Sequence, residues 1–205
     1  MLNIGITMRV TNAENYFELR DSIAKDWFSY MSFVMPNTNW MLLPNLENKI
    51  VEYTKKWKLN GFIFSGGENL RVSSCRDNTE LELFNYAQKE KFPILGICRG
   101  FQAIYSFMGG EIKQQGDFFL NTHRATKHKI SYDNNIKIVN SFHNNMAMVD
   151  SIPKNVKVRA VCIEDNSIEA FTSEKILAFQ WHPEREKKFQ EWDAKIIRDF
   201  FRYEE

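Results

Sequence analysis

Pro93-Ile-Leu-Gly-Ile-Cys98-Arg-Gly-Phe-Gln102 sets a cysteine in a Gly-x-Cys-x-Gly frame, with an apolar run before it and Phe101, Ile104, Tyr105 and Met108 at helical spacing after it. The run reads as a buried strand and the stripe as a short helix closed by Gly109-Gly110. In such a nucleophile elbow Gly96 and Gly100 relieve crowding at the turn, and the reactive atom projects from the carboxyl edge of the sheet. A helix N-terminus favours negative charge, so the geometry that presents the Cys98 sulfur also favours its thiolate. A free cysteine is more often a core residue. The flanking glycines reverse that reading at Cys98, whereas Cys75 and Cys162 lack such a frame and read as structural.

Upstream of the elbow, short apolar runs alternate with amphipathic stretches, the pattern of βαβ units. Residues 2–7, 40–43, 61–65 and 93–97 predict strands. Leu46, Ile50, Tyr53 and Trp57 predict one crossover helix; Leu81, Leu83, Phe84 and Ala87, after Asp77-Asn78-Thr79, predict another. Downstream, residues 127–132, 136–139, 156–163, 167–171 and 176–181 read as short strands, and 186–203 as a closing amphipathic helix. The expected fold is α/β: one domain over residues 1–205, with a mostly parallel sheet flanked by helices and antiparallel additions in the second half.

Composition narrows the function. Hydrophobic residues make up 43% of the 205, and 27 basic residues face 26 acidic ones, a balance that argues against disorder and against a nucleic-acid partner. The apolar stretch in the first ten residues lacks the flanks of a secretion signal, and no later run approaches the length of a membrane span. A cytoplasmic protein away from the membrane is expected. Three widely spaced cysteines fit no disulfide framework.

A thiolate mechanism needs an imidazole, and the chain has four histidines. His182 closes an apolar run and precedes Pro183, whose turn lets Glu184 fold back to hold the ring. On spacing alone a solvated surface turn explains His182 and Glu184 equally well; beside the elbow they read as base and orienter. His123 and His128 have no acidic or cysteine neighbour at ligand spacing, so no metal is expected. Gly66-Gly67-Glu68 ends a predicted strand, where backbone N–H groups can turn toward an oxyanion, with the Arg99 amide as second donor. An ordinary βα turn is the plain alternative; a phosphate loop is not, because no Gly-Lys-Ser/Thr follows.

Together these residues resemble the class I glutamine amidotransferase-like family, which has a flavodoxin-like core, and within it the free-standing γ-glutamyl hydrolases. The resemblance rests on the elbow, Gly66-Gly67, Gly109-Gly-Glu-Ile-Lys-Gln114, Val139-Asn-Ser141-Phe142-His143 and Gln180-Trp-His182-Pro-Glu184. It implies a γ-glutamyl thioester on Cys98, proton transfer by His182, orientation by Glu184 and release of glutamate without any cofactor. It also implies that Gln102, Ser141, Phe142 and His143 hold the glutamyl end of a small-molecule substrate; Asn145 stands where the family often has glutamine. Arg20-Asp21, placed in an opening helix region, and the stretch from Arg76 to Glu80 also resemble the free-standing hydrolases. Gly5-Ile-Thr-Met-Arg9 and the small size resemble members that act on γ-glutamyl-CDP-amidate in capsule phosphoramidate synthesis and release cytidine diphosphoramidate. A pyrophosphate-bearing leaving group needs cations, for which Arg9, Arg20, Arg71 and Arg76 are candidates.

Three other readings compete. A glutaminase component delivering ammonia to a separate synthetase would use the same triad. An α/β-hydrolase would place its acid between nucleophile and histidine, not after the latter. A catalytically silent flavodoxin-like binding protein would share the fold alone. The sequence is compatible with a homo-oligomer.

Overall fold

Strands that are apolar on both faces require cover on both sides, and the computed structural model, which describes residues 1–114 and 123–203, supplies it. β1 (Asn3–Thr7) leads into a hairpin of β2 (Arg9–Asn12) and β3 (Leu19–Ser22), followed by α1 (Asp26–Val34), β4 (Asn39–Leu43), α2 (Ile50–Lys56), β5 (Gly61–Phe64), α3 (Ser74–Glu90), β6 (Ile94–Ile97) and α4 (Arg99–Phe107). The second half holds β7 (Ile112–Gln114), β8 (Arg124–Tyr132), β9 (Asn135–Phe142), β10 (Asn145–Met148), β11 (Lys157–Cys162), β12 (Ser167–Ser173), β13 (Ile176–Phe179), a 3₁₀ turn at Pro183–Arg185, and α5 (Glu191–Phe201).

One sheet runs in the order β4-β1-β5-β6-β13-β12-β11-β8-β9, with β10 on β12 and β7 on β10. From β4 to β13 neighbours pair in parallel; from β13 outward they are antiparallel, as the second-half strands led one to expect. Alternation sorts the side chains into two cores. Ile4, Ile6, Ile63, Leu95 and Ile97 pack with Trp27 and Tyr30 of α1 and Ile197 of α5. Phe62, Phe64 and Ile94 pack with Leu83 of α3 and Phe101 and Ile104 of α4. Burying each such side chain stabilises the fold by about 1.5–3 kcal/mol.

The structure corrects four boundaries. α3 starts at Ser74, capped by the Ser73 hydroxyl on the Arg76 amide, earlier than its apolar stripe implies. Its buried stripe begins with Arg76, Thr79 and Glu80 before it reaches Leu83 and Phe84, so hydrophobic periodicity missed the first turns. Arg20 lies in the β2/β3 hairpin and not in an opening helix, because helix starts only at Asp26. The predicted helix over Leu46 to Trp57 is split between a 3₁₀ turn, Glu47–Lys49, and α2. The closing helix is confined to Glu191–Phe201.

Candidate active site

The carboxyl ends of β5, β6 and β13 converge on Cys98. This residue adopts φ 52°, ψ −103° between β6 and α4, a conformation with positive φ that is rare for a side chain larger than glycine. The close packing around it explains its neighbours. A Cβ on Gly100 would lie 2.0 Å from the Phe64 carbonyl oxygen, and one on Gly96 would lie 2.9 Å from the Gly100 carbonyl. The Cys98 amide donates to the Phe179 carbonyl at 2.8 Å, tying the elbow to the strand that delivers His182.

His182 is buried, and its Nδ1 lies 2.6 Å from Glu184 Oε1. Burial opposes a charge on the ring, but Glu184 and the neighbouring Cys98 sulfur more than compensate, pushing its pKa up to about 10. Glu184 reaches back because Pro183–Arg185 forms a 3₁₀ turn. Asn140, which sequence reasoning passed over within the Val139-Asn-Ser141 motif, brackets His182: its Nδ2 donates to the His182 carbonyl at 2.7 Å, and its Oδ1 accepts from the His182 amide at 2.9 Å. The Phe142 ring stands edge-on to His182 at 5.8 Å, with the Arg185 guanidinium 5.0 Å from the Phe142 ring centre.

Gly67 lines the cavity in front of Cys98, whereas Gly66 packs against the His182 ring and lines a separate crevice. A Cβ on Gly66 would lie 2.5 Å from His182 Cε1, and one on Gly67 would lie 2.2 Å from Arg76 Nη1. Arg76 supports this loop from below. Fully buried, it donates to the Ser65 carbonyl at 2.7 Å, to Glu80 at 3.0 Å and to Glu68 at 2.9 Å. The Arg99 side chain is paired with Glu80 and Asp77. Burial alone would raise the Glu80 pKa, but Arg99 and Arg76 hold it below the usual carboxylate value. Arg99 therefore reaches the cavity at the first turn of α4, whose N–H groups the helix leaves uncommitted.

Gly67, Glu68, Asn69, Cys98, Arg99, Gln102, Phe142, His143 and Asn144 enclose a cavity of about 270 Å³. Gln102 Nε2 donates to the Asn145 carbonyl at 3.2 Å, and His143 Nδ1 meets the same carbonyl at 3.0 Å. Burial pushes the His143 pKa down to about 4, so its ring is neutral at pH 7. Ser141 is not in the cavity lining: its hydroxyl donates to the His123 carbonyl at 2.7 Å. A groove of about 670 Å³ shares Asn69 with the cavity and carries Arg71.

The four candidate cations separate. Arg71 lies on this groove. Arg9 lines a narrow crevice behind Gly66 and Glu184. Arg20 is exposed on the hairpin, bonded to Glu18 and Tyr16. Arg76 is sealed beneath the glycine loop, so the structure makes it a support and not a contact for a leaving group.

A buried cysteine and imidazole in contact, a carboxylate on the ring's far nitrogen and backbone amides at a helix start can attack a carbonyl, move a proton and stabilise an oxyanion. The family model for peptidase C26 matches residues 3–184. The γ-glutamyl-CDP-amidate hydrolase of Campylobacter jejuni subsp. jejuni is 30% identical over 206 aligned residues, covering 97% of this chain and 96% of that protein. A glutamine-hydrolyzing GMP synthase component from Methanococcus vannielii is 31% identical over 148 residues, covering 68% of this chain and 70% of that one. A glutamine amidotransferase from Thermotoga maritima shares the fold with a TM-score of 0.64 at 16% identity, over 89% of this chain and 76% of its own. Among the described residues, no helix is long and apolar enough to cross a membrane.

Proposed function

We propose, for a chain that belongs to the peptidase C26 family of class I glutamine amidotransferase-like proteins, that Cys98, His182 and Glu184 act as a triad in γ-glutamyl amide hydrolysis. The observation that carries the reading is the contact chain from Cys98 through the His182 ring to Glu184, at an elbow with φ 52°.

The Cys98 sulfur attacks the γ-carbonyl carbon, and the oxyanion is met by amides of the Gly66-Gly67 turn and of Arg99. The His182 imidazolium gives its proton to the leaving nitrogen as the C–N bond breaks, leaving a γ-glutamyl thioester. Water then attacks the thioester, His182 takes the water's proton, and glutamate departs as the thiolate is restored. Gln102, Phe142 and His143 position the glutamyl end, with Ser141 acting from behind this wall. Glu184 holds the ring tautomer.

The substrate we propose is γ-glutamyl-CDP-amidate, giving glutamate and cytidine diphosphoramidate. This rests on the near full-length similarity to the Campylobacter jejuni hydrolase, and on a groove, carrying Arg71, that continues from the cavity at Asn69. The similarity to GMP synthase components favours a second reading, a glutaminase that passes ammonia to a partner synthetase.

Glutamate release by the isolated protein, with γ-glutamyl-CDP-amidate and with L-glutamine, separates the two. Fast turnover of the amidate with little action on glutamine is expected. Slow glutaminase activity with no turnover of the amidate overturns the substrate assignment in favour of the synthetase partner.

A further inference from the structure

Beside Ser141, three histidines surround one carboxylate, one of them the His143 that also lines the Cys98 cavity. His123 precedes β8, His143 follows β9, and Glu169 lies in β12; all three are buried. His143 Nε2 lies 3.6 Å and His123 Nδ1 3.7 Å from Glu169 Oε1, while His128 Nε2 lies 3.5 Å from Glu169 Oε2.

The outer nitrogens fix the tautomers. His143 Nδ1 faces the Asn145 carbonyl at 3.0 Å, and His123 Nε2 faces Asp165 Oδ2 at 2.7 Å. Both of these partners accept, so both outer nitrogens carry hydrogen, and in the neutral rings His143 Nε2 and His123 Nδ1 turn lone pairs toward Glu169. The Ser141 hydroxyl, at 3.4 Å from His123 Nδ1, instead donates to the His123 carbonyl at 2.7 Å. Among the described residues, neither oxygen of Glu169 nor His143 Nε2 has a hydrogen-bond partner. In those tautomers three acceptors, His143 Nε2, His123 Nδ1 and Glu169 Oε1, converge in a buried space, an arrangement that a bound proton or a metal cation at their centre relieves.

The two distances to Glu169 come close to what such an ion sets, and all three donor atoms lie within 4.8 Å of one another. Donor atoms held at about 2.0–2.2 Å by one tetrahedral ion stand about 3.3–3.6 Å apart. Imidazole nitrogens with a carboxylate suit zinc and its neighbours, and Asp165 behind His123 is the outer carboxylate that ligating histidines commonly keep. His123, His128 and Cys162 also lie close together, but the Cys162 sulfur donates to Glu164 at 3.0 Å.

We propose that His123, His143 and Glu169 bind one transition-metal dication of zinc type, which staples the Phe142–His143 wall of the Cys98 cavity to β12. With all three donors buried, the ion orders the wall and takes no part at the scissile bond.

The test uses the full chain carrying Cys98→Ser, which removes the active-site thiol as a competing ligand. The protein is stripped with a chelator and titrated with Co(II), then with Zn(II). Expected are one tightly bound equivalent, visible cobalt d–d bands without a sulfur-to-cobalt charge-transfer band, displacement by zinc, and a rise in Tm with zinc. Glu169→Gln and His123→Ala, added separately to this background, should each weaken binding at least tenfold. No saturable cobalt binding in the stripped parent overturns the site, as does binding undiminished in folded Glu169→Gln. A charge-transfer band places the ion on a cysteine sulfur and overturns the ligand set. The parent titration and spectrum decide the question even where a variant does not fold, and none of these readouts depends on the γ-glutamyl reading.

Discussion

Asn140 of β9 grips His182 by both backbone groups, accepting from its amide at 2.9 Å and donating to its carbonyl at 2.7 Å, while a third bond runs from Asn140 Nδ2 to Glu186 at 2.9 Å. This places the imidazole through a side chain on a strand far from it in sequence. Asn140→Ala strands two buried backbone groups, each costing about 1–3 kcal/mol. As a positioning residue it should lower kcat for glutamate release about tenfold or more with KM little changed, and Asn140→Asp should restore little because it cannot donate. A change in KM alone argues that Asn140 contacts substrate instead.

Cys98→Ala should abolish glutamate release, and His182→Asn should lower it by roughly 10³-fold or more. Glu184→Gln should cost less, roughly 10–10²-fold, because it impairs orientation and charge but leaves the nucleophile in place. Steady-state kinetics on folded variants checks the order; full activity in Cys98→Ala removes the triad.

Gly66→Ala sets a methyl 2.5 Å from His182 Cε1 without opening either core. It should retain a cooperative thermal transition and lose roughly 10²-fold or more in kcat, the scale of a disturbed oxyanion site. Unfolding of the whole protein, followed by circular dichroism, would show that the loop is structural first.

The His182 pKa, about 10 in the folded protein against 6.5 ordinarily, lies above its unfolded value. The stability it contributes is full below about pH 6.5 and is lost as pH rises through 10. Thermal unfolding of the wild type should therefore weaken between pH 7 and 10 more steeply than that of His182→Asn. Parallel curves contradict the raised pKa.

Burial pushes the Asp193 carboxyl, near the start of α5, up to about 7. Folded protein binds its proton more tightly than unfolded chain, so the associated stability is present below about pH 4 and is lost as pH rises through 7. Asp193→Asn should raise stability by roughly 1–2 kcal/mol at pH 8 and leave it nearly unchanged at pH 4, as measured by denaturant unfolding.

The strands flanking the elbow were legible because each is a local apolar run that must be covered on both faces, and Cys98 was legible because both its glycines lie within two residues of it. Glu184 was legible for the same reason: it follows His182 by two residues, with a proline between. α3 shows the limit. Its first buried positions are Arg76, Thr79 and Glu80, with Arg76 and Glu80 bonded to each other and Glu80 to Arg99, so a hydrophobic pattern has nothing to detect there.

What the sequence by itself determined is the α/β alternation, the elbow and the family resemblance, because those signals reside in residues close along the chain. Only the tertiary structure decided that Asn140 holds His182, that Arg76 is a support beneath the glycine loop and not a surface cation, and that His123, His143 and Glu169 meet. These contacts join residues 42, 10 and up to 46 positions apart, measured from Asn140 to His182, from Arg76 to the Gly66 carbonyl and from His123 to Glu169. Strand order, which depends on how β9, β12 and β13 take their places in one sheet, sets those distances in space, and no local spacing encodes it.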